Sequence, residues 1–237
     1  AGLFLTVREP KRKISEIESK EVPSFKKISQ YIKNNWQVYG AIIIGNSCLI
    51  ILLYGLQSWV PTMLLRVYEW DLIQSGRVYG LIAMLAGSAG VLSGPFVLKL
   101  MTSRSINAPH FKLAIFGISM ASFSLIMLPL QANVNIALVF VTFASFFVTL
   151  PLAGTSSAMV IVSPNRIRGV ITGIYVVVTS VLGLVLGPFL VASSTDFIFQ
   201  DPNSVAKSLA LVSILIGPIG IFFMLKGVNY FGEMKNV

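Results

Sequence analysis

The sequence predicts an all-α membrane protein, a six-helix transmembrane bundle built from two inverted three-helix repeats. Three observations predict it: a composition too apolar for water, six long uncharged runs, and a glycine–proline motif in the second run that returns in the fifth. Of the 237 residues, 55% are hydrophobic and 11% charged, against roughly a quarter charged in an ordinary soluble domain. Too few polar side chains remain to cover a water-soluble surface, so lipid is the solvent for much of the chain.

Taken in order, residues 1–7 are apolar and Arg8-Glu9-Pro10-Lys11-Arg12-Lys13 follows at once. This order predicts the end of a preceding transmembrane helix, because a signal peptide places its cations first. Residues 8–37 form a polar, basic linker, expected in the cytoplasm. Within it Phe25, Ile28, Ile32 and Trp36 recur at helical spacing while Lys26, Lys27 and Lys33 point elsewhere. That pattern predicts an amphipathic helix on the membrane surface, with a solvated linker as the alternative. The six-helix domain is expected over residues 38–228, with a cytoplasmic tail at 229–237.

The six runs are Ile42 to Leu65, Val78 to Leu98, Leu113 to Leu130, Ile136 to Val162, Val170 to Ala192 and Ser208 to Leu225. None contains Asp, Glu, Lys, Arg or His. A charge at the centre of a spanning helix costs about 2.5–3.5 kcal/mol on insertion scales, so charge-free windows of about 20 residues read as spans. Barrel strands would alternate polar and apolar residues over about ten positions, and none of these runs alternates.

The net charge of +9 would suggest nucleic-acid binding in a soluble protein, but these cations flank apolar runs instead of gathering on one face. Counted by side, assuming a crossing at each run, 15 of the 18 Lys and Arg residues fall on one side and Arg66, Arg77 and Lys207 on the other. The positive-inside rule then places both ends of the chain in the cytoplasm, with anionic lipid as a contact. The lone Cys48 excludes an intrachain disulfide framework or thiol metal cluster. No phosphate-binding glycine loop or cofactor motif is present, so the reading includes no cofactor and no metal.

Gly90-Val91-Leu92-Ser93-Gly94-Pro95-Phe96 in the second run is matched by Gly183-Leu184-Val185-Leu186-Gly187-Pro188-Phe189 in the fifth. Gly80 and Gly173 each lie fourteen residues before the second glycine of their motif, extending the register. Small residues four apart let helix backbones approach closely in lipid, and proline interrupts the hydrogen-bond ladder. Copies in runs two and five, which cross in opposite directions, fit an inverted repeat of three helices.

With these features in place, the chain resembles the second half, helices seven to twelve, of a Major Facilitator Superfamily transporter. The likeness rests on Thr6-Val7-Arg8-Glu9-Pro10-Lys11-Arg12, Trp59-x-Pro61-Thr62, Pro164-x-Arg166-x-Arg168-Gly169 and the paired Gly-x-x-x-Gly-Pro. The Arg-Glu-Pro segment and the Trp-x-Pro ending are similar to bacterial spinster-like members. One departure is the connection after the second run: Gly94 is followed by Pro95-Phe96-Val97-Leu98-Lys99 without the acid usual there in the superfamily.

The resemblance implies alternating access in a bacterial inner membrane, an N-terminal six-helix half as partner, a small-molecule substrate and a coupling ion. It also implies that the first helix of each repeat, here runs one and four, lines the cavity. On run one, Asn46, Tyr54 and Gln57 fall within about 80° of each other on a helical wheel. On run four, Thr142, Ser145, Thr149 and Ser156 share a face, with Pro151 and Gly154 inviting a kink. These seven are the candidate substrate-binding residues; the alternative is that they bond within the bundle. Gly90, Gly94, Pro95, Gly183, Gly187 and Pro188, with Arg166 and Arg168 on the loop before run five, are the candidate packing and gating residues. Glu69 and Asp71 beside Arg66 and Arg77 read either as an outer gate or as solvated loop charges.

No acid or His lies inside a run, so a proton relay of the usual kind is not encoded in these spans. The expected function is transport of a small organic solute, amphipathic or lipid-like if the spinster-like likeness extends to cargo. Two rivals stand beside it. A structural membrane subunit would carry no flux; an intramembrane enzyme has only His110 as a base and no Gly-x-Ser-Gly nucleophile. An aquaporin-type channel would need two Asn-Pro-Ala loops, and Asn107-Ala108-Pro109 has the order wrong.

Overall fold

The computed structural model describes residues 25–235. The expected end of an earlier span at residues 1–7 and the linker up to residue 24 lie outside the described residues. A short helix, α1 (Phe25–Asn34), forms where the apolar spacing predicts one. Its end is closed by Asn35, whose side-chain amide donates to the Tyr31 carbonyl at 3.0 Å. Tyr31 then meets Tyr39 edge-on, with ring centroids 6.2 Å apart, which fixes α1 against the next helix.

Six helical units long and apolar enough to cross a membrane follow: Trp36–Val67, Leu72–Ser103, Pro109–Leu130, Val134–Val162, Arg168–Phe199 and Val205–Phe231. Each contains one predicted run and extends beyond it. Three of the six are not uniform α-helices. The second comprises α3 (Leu72–Ile82), a π-helical segment at Ala83–Gly87, and α4 (Ser88–Ser103). The fourth is broken between α6 (Val134–Thr149) and α7 (Leu152–Val162). Pro151 accounts for the break, since it has no N–H for the ladder and its ring clashes with the carbonyl four residues back. The fifth, α8 (Arg168–Ser193), ends in a second π-helical segment, Ser194–Phe199. The first, α2 (Trp36–Val67), and the third, α5 (Pro109–Met127) with its terminal 3₁₀ turn, complete the first repeat; the sixth, α9 (Val205–Lys235), completes the second.

Lipid offers no hydrophobic drive for apolar helices to associate, so close backbone approach decides which pairs form. The two glycine motifs decide it symmetrically. A Cβ on Gly90 or Gly94 of α4 would run into the carbonyl oxygens of Phe146 or Leu150, so the second span lies directly on the fourth. A Cβ on Gly183 or Gly187 of α8 would run into Ile50 or the Ile51 carbonyl oxygen, so the fifth lies on the first. The third helices follow the same rule: α9 packs on α2, α6 packs on α5, and α5 and α9 meet each other. Each repeat therefore closes on the other, the arrangement an inverted pair requires.

The first span is the core of the bundle, with 67% of its most apolar window buried, whereas the second and fifth reach only 22% and 28%. Those two leave large apolar side chains uncovered, among them Leu85, Leu92 and Phe96 on one and Val177, Leu184 and Phe189 on the other. Gly76, Gly80, Gly169 and Gly173 lie on the same two helices, and a Cβ on any of them would meet nothing within 4 Å. The matching register of Gly80 and Gly173 thus continues onto faces that this bundle does not use.

Polar residues close the connections. Asp71 caps α3 by accepting from the Ile73 and Gln74 amides at 2.7 and 3.3 Å. Tyr68 ties the end of the first span to the turn after the third by donating to the Gln131 carbonyl at 2.7 Å. Before α9, Asp201 accepts from the Asn203 amide at 2.9 Å and the Ser204 hydroxyl at 2.8 Å. These bonds favour the ionised carboxyl and lower its pKa. The folded value lies below the unfolded one, so the contribution is complete above the ordinary carboxylate range near about 3.9 and is lost as pH falls through the depressed value. Protection of the Asn203 amide, its exchange rate compared with the intrinsic rate at the same pH, is expected to fall in that acid window in the wild type and to be low already at neutral pH in Asp201→Ala.

Candidate functional site

Two groups of polar side chains inside the bundle lie on the broken fourth span. One lies just before the break, in the middle of the span. There the π-helical segment of the second span meets the end of α6, and the Thr149 hydroxyl stands 3.0 Å from the Gly87 carbonyl, 2.9 Å from that of Ser145 and 3.0 Å from that of Phe146. It has one proton for three acceptors. Ser145, one turn earlier, is buried with its hydroxyl unbonded among the described residues. Thr142 is half-buried and its hydroxyl donates to Leu138 on its own helix at 2.7 Å.

The second place lies just after the break. Asn46 of α2, only 2% exposed, accepts from the Thr155 hydroxyl of α7 at 2.7 Å, and the same hydroxyl lies 3.1 Å from the Leu152 carbonyl. This bond sets the amide orientation: Oδ1 faces Thr155, leaving the two N–H donors to other partners. Tyr175 of α8 completes the cluster, with Thr155 and Ser156 beside its phenol. Close by, the His110 ring at the start of α5 approaches the Gly154 carbonyl at 3.1 Å and the Ser157 hydroxyl at 3.2 Å. A carbonyl only accepts, so Nδ1 carries the proton.

The predicted residues therefore divide. Asn46 is buried within the bundle, Tyr54 is half-buried, and Gln57 is exposed further along the same helix. On the fourth span, Ser145 and Thr149 are buried, Thr149 against the second span, while Ser156 is exposed and donates to the Leu152 carbonyl at 3.0 Å. Thr155 and Tyr175 join the cluster although helical-wheel reasoning selects neither. The glycines at 90, 94, 183 and 187 stand at the helix crossings described above, with Pro95 and Pro188 inside α4 and α8. The Trp59 indole of the first span donates to the Pro188 carbonyl at 3.0 Å, adding a polar link to that crossing.

Charged residues lie at the ends. Arg168 donates through Nε to the Ser163 carbonyl at 3.3 Å, folding the loop between the fourth and fifth spans back on itself; Arg166 is exposed on that loop. At the opposite end, Asp71 is engaged as a helix cap, and Arg66 donates to the Pro202 carbonyl at 3.4 Å.

Comparison with known proteins places this architecture. No curated protein matches the chain in sequence. Among the solved structures that match in fold are two of a bacterial homologue of the human lysosomal transporter Spinster. The inward-facing, unoccupied form aligns with a TM-score of 0.65 at 17% identity, covering 98% of this chain and 55% of that one. The inward-facing, occupied form aligns with a TM-score of 0.60 at 17% identity, covering 99% and 54%. The chain thus spans about half the length of the structures it matches. The sequence model of the Major Facilitator Superfamily matches residues 1–188, and with the six apolar helices and the fold described above, the chain belongs to that family of membrane transporters.

Proposed function

We propose that this chain is the C-terminal half of a secondary transporter that moves a small organic solute by alternating access. What supports the reading most directly is the coverage: nearly all of this chain aligns with 55% of a Spinster homologue. The uncovered faces of the second and fifth spans, with their open glycines, suit a second six-helix half laid against them. In this reading the chain ends lie in the cytoplasm of a bacterial inner membrane, on the cation-rich side. The cargo is amphipathic or lipid-like by analogy with the Spinster homologue, and a coupling ion supplies the energy. Enzymatic chemistry has no support in the cluster, since the imidazole nitrogen facing the Ser157 hydroxyl carries its proton toward the Gly154 carbonyl and cannot take one from that serine.

The solute site comprises Asn46, Tyr54 and Gln57 on the first span and Thr142, Ser145, Thr149 and Ser156 on the fourth, with exposed Gln57 and Ser156 and half-buried Tyr54 and Thr142 nearest the solute and buried Asn46, Ser145 and Thr149 behind them. Arg166 and Arg168 gate its cytoplasmic side. Gln57 and Ser156, exposed on the half-bundle, offer hydrogen bonds to solute; Asn46 offers its amide donors. In the complete protein reconstituted into vesicles, Asn46→Ala and Gln57→Ala are expected to lower solute uptake about tenfold each with unchanged protein yield. That corresponds to about 1.4 kcal/mol, the size of one hydrogen bond to a desolvated group. Uptake at the wild-type rate in both variants would remove these residues from the site, and absence of any flux in the wild type would favour a structural subunit.

A further inference from the structure

Where the second span crosses the fourth, oxygen atoms gather that helix packing does not require. The other repeat shows what packing needs at the same crossing. There Gly183 and Gly187 seat on the Ile50 side chain, the Ile51 carbonyl and the Gly55 amide, and none of these nearest atoms is a hydroxyl. At the second–fourth crossing Gly90 seats instead on the Thr149 hydroxyl and the Phe146 carbonyl. The Thr149 oxygen lies 3.0 Å from the Gly87 carbonyl, 2.9 Å from that of Ser145 and 3.0 Å from that of Phe146, so it is surrounded by acceptors that its single proton cannot all serve. Ser145, one turn earlier on the same face, is 4% exposed, and its hydroxyl has no partner among the described residues. Gly87 is buried, yet a Cβ built on it would meet no neighbour closer than Thr149 Cγ2, at 4.0 Å. Room the size of a methyl group therefore lies beside these oxygens.

We propose that this crossing binds a sodium-sized monovalent cation through the Gly87 carbonyl and the Ser145 and Thr149 hydroxyl oxygens, and that this cation is the coupling ion. The second clause rests on the transport reading above; the first stands on the crossing itself. Hard cations take oxygen ligands, and interrupted membrane helices supply them from unwound backbone and from the C-terminal ends of half-helices. Both sources meet here. Gly87 closes the π-helical segment Ala83–Gly87, while Ser145, Phe146 and Thr149 lie at the end of α6, which stops at Thr149 ahead of Pro151. A helix C-terminus carries roughly half a negative charge, which offsets a cation where no carboxylate stands, and none of the six runs holds an Asp or Glu. The lack of any ionisable side chain in the runs also favours a metal cation over a proton as the ion taken up by these spans. A hydroxyl keeps its lone pairs for an ion by turning its proton to one of several acceptors, and Thr149 has three to choose from. The Ser145 hydroxyl, which has no protein partner, gains one. Ser145 and Thr149 then serve the solute through the ion, and direct contact falls to the less buried members of the set.

The test is equilibrium binding of radioactive sodium to the complete protein purified in detergent, with choline as the replacing cation. A single saturable site per chain is expected in the wild type. Gly87→Ala, whose methyl fills the room beside the carbonyl, and Ser145→Ala, which removes a ligand, are each expected to weaken binding about tenfold or more. Thr149→Val should weaken it likewise, and Thr149→Ser, which keeps the oxygen, should restore it. Melting of Gly87→Ala and Ser145→Ala in choline chloride should be no lower than that of the wild type, because neither change removes a bond or meets an obstacle; this separates a lost ligand from a lost fold. No saturable sodium binding in the wild type, the result expected if the crossing holds only water, overturns the site, as does wild-type affinity in both Gly87→Ala and Ser145→Ala. Solute uptake in vesicles driven by a sodium gradient and lost in Gly87→Ala would support the coupling role, and uptake indifferent to sodium would overturn that role. Binding does not depend on flux, so a protein that holds sodium in this way and moves no solute would count against the transport reading and leave the cation site standing.

Discussion

Leucine at Gly90 or Gly183 is expected to abolish the folded bundle, while leucine at Gly80 or Gly173 leaves it folded. The four glycines belong to one repeated register, yet their surroundings differ. A Cβ on Gly90 would collide with the Thr149 hydroxyl and the Phe146 carbonyl oxygen; on Gly183 it would collide with Ile50 Cγ2 and stand 3.1 Å from that residue's carbonyl carbon. The obstacle includes backbone at both crossings, so no rotamer change relieves it and the two helices must separate. Overpacking usually costs about 1–3 kcal/mol, and a displaced helix pair exceeds that range. At Gly80 and Gly173 the space is open, and leucine gains about 0.5–1 kcal/mol of helix propensity over glycine. Thermal melting and monodispersity in detergent separate the two outcomes. A Gly90→Leu protein that melts with the wild type would disprove the crossing. If the open faces receive the other half, Gly80→Leu and Gly173→Leu lose transport without losing the fold.

The next largest effect concerns the pair joining the first and fourth spans, and it is asymmetric. Thr155→Val is expected to destabilise the bundle by about 1–2 kcal/mol, and Asn46→Ala by less than about 1 kcal/mol. Removing the threonine hydroxyl strands a buried amide oxygen that loses its donor at 2.7 Å. Removing the amide strands nothing on the other side, because the Thr155 hydroxyl already has the Leu152 carbonyl at 3.1 Å as an alternative acceptor. Isosteric valine keeps the volume at residue 155, whereas alanine at 46 also removes packed atoms, so Asn46→Leu beside Asn46→Ala separates the lost amide from the lost volume. Equal losses in the two variants, measured by reversible unfolding, would show that the bond contributes nothing beyond packing.

The spans and their pairing motifs were legible because lipid imposes a simple rule: no charge through the apolar core, and small residues where backbones touch. All six predicted runs lie inside helices, and every one of these helices extends past its run into polar ends such as Trp36-Gln37 or Arg168-Gly169. The π-helical segments at Ala83–Gly87 and Ser194–Phe199 had no signal, since one additional residue in a turn leaves hydrophobicity unchanged. The polar face of the fourth span was legible up to Thr149 and lost afterwards. A wheel drawn at 100° per residue assumes one continuous helix, and the turn at Leu150–Pro151 resets the phase. Ser156 is consequently exposed and Thr155 buried. Tyr175 was invisible for a different reason: a single tyrosine in an apolar run carries no periodic signal of which helix it meets.

The reciprocal closure of the two triplets also bears on biosynthesis. A nascent chain that has released only its first three helices holds α4 with no α6 to seat on and α2 with no α8 across it. The ribosome must therefore deliver the fourth and fifth before either early contact can form. The glycine-mediated crossings close late, once the second triplet has begun to emerge.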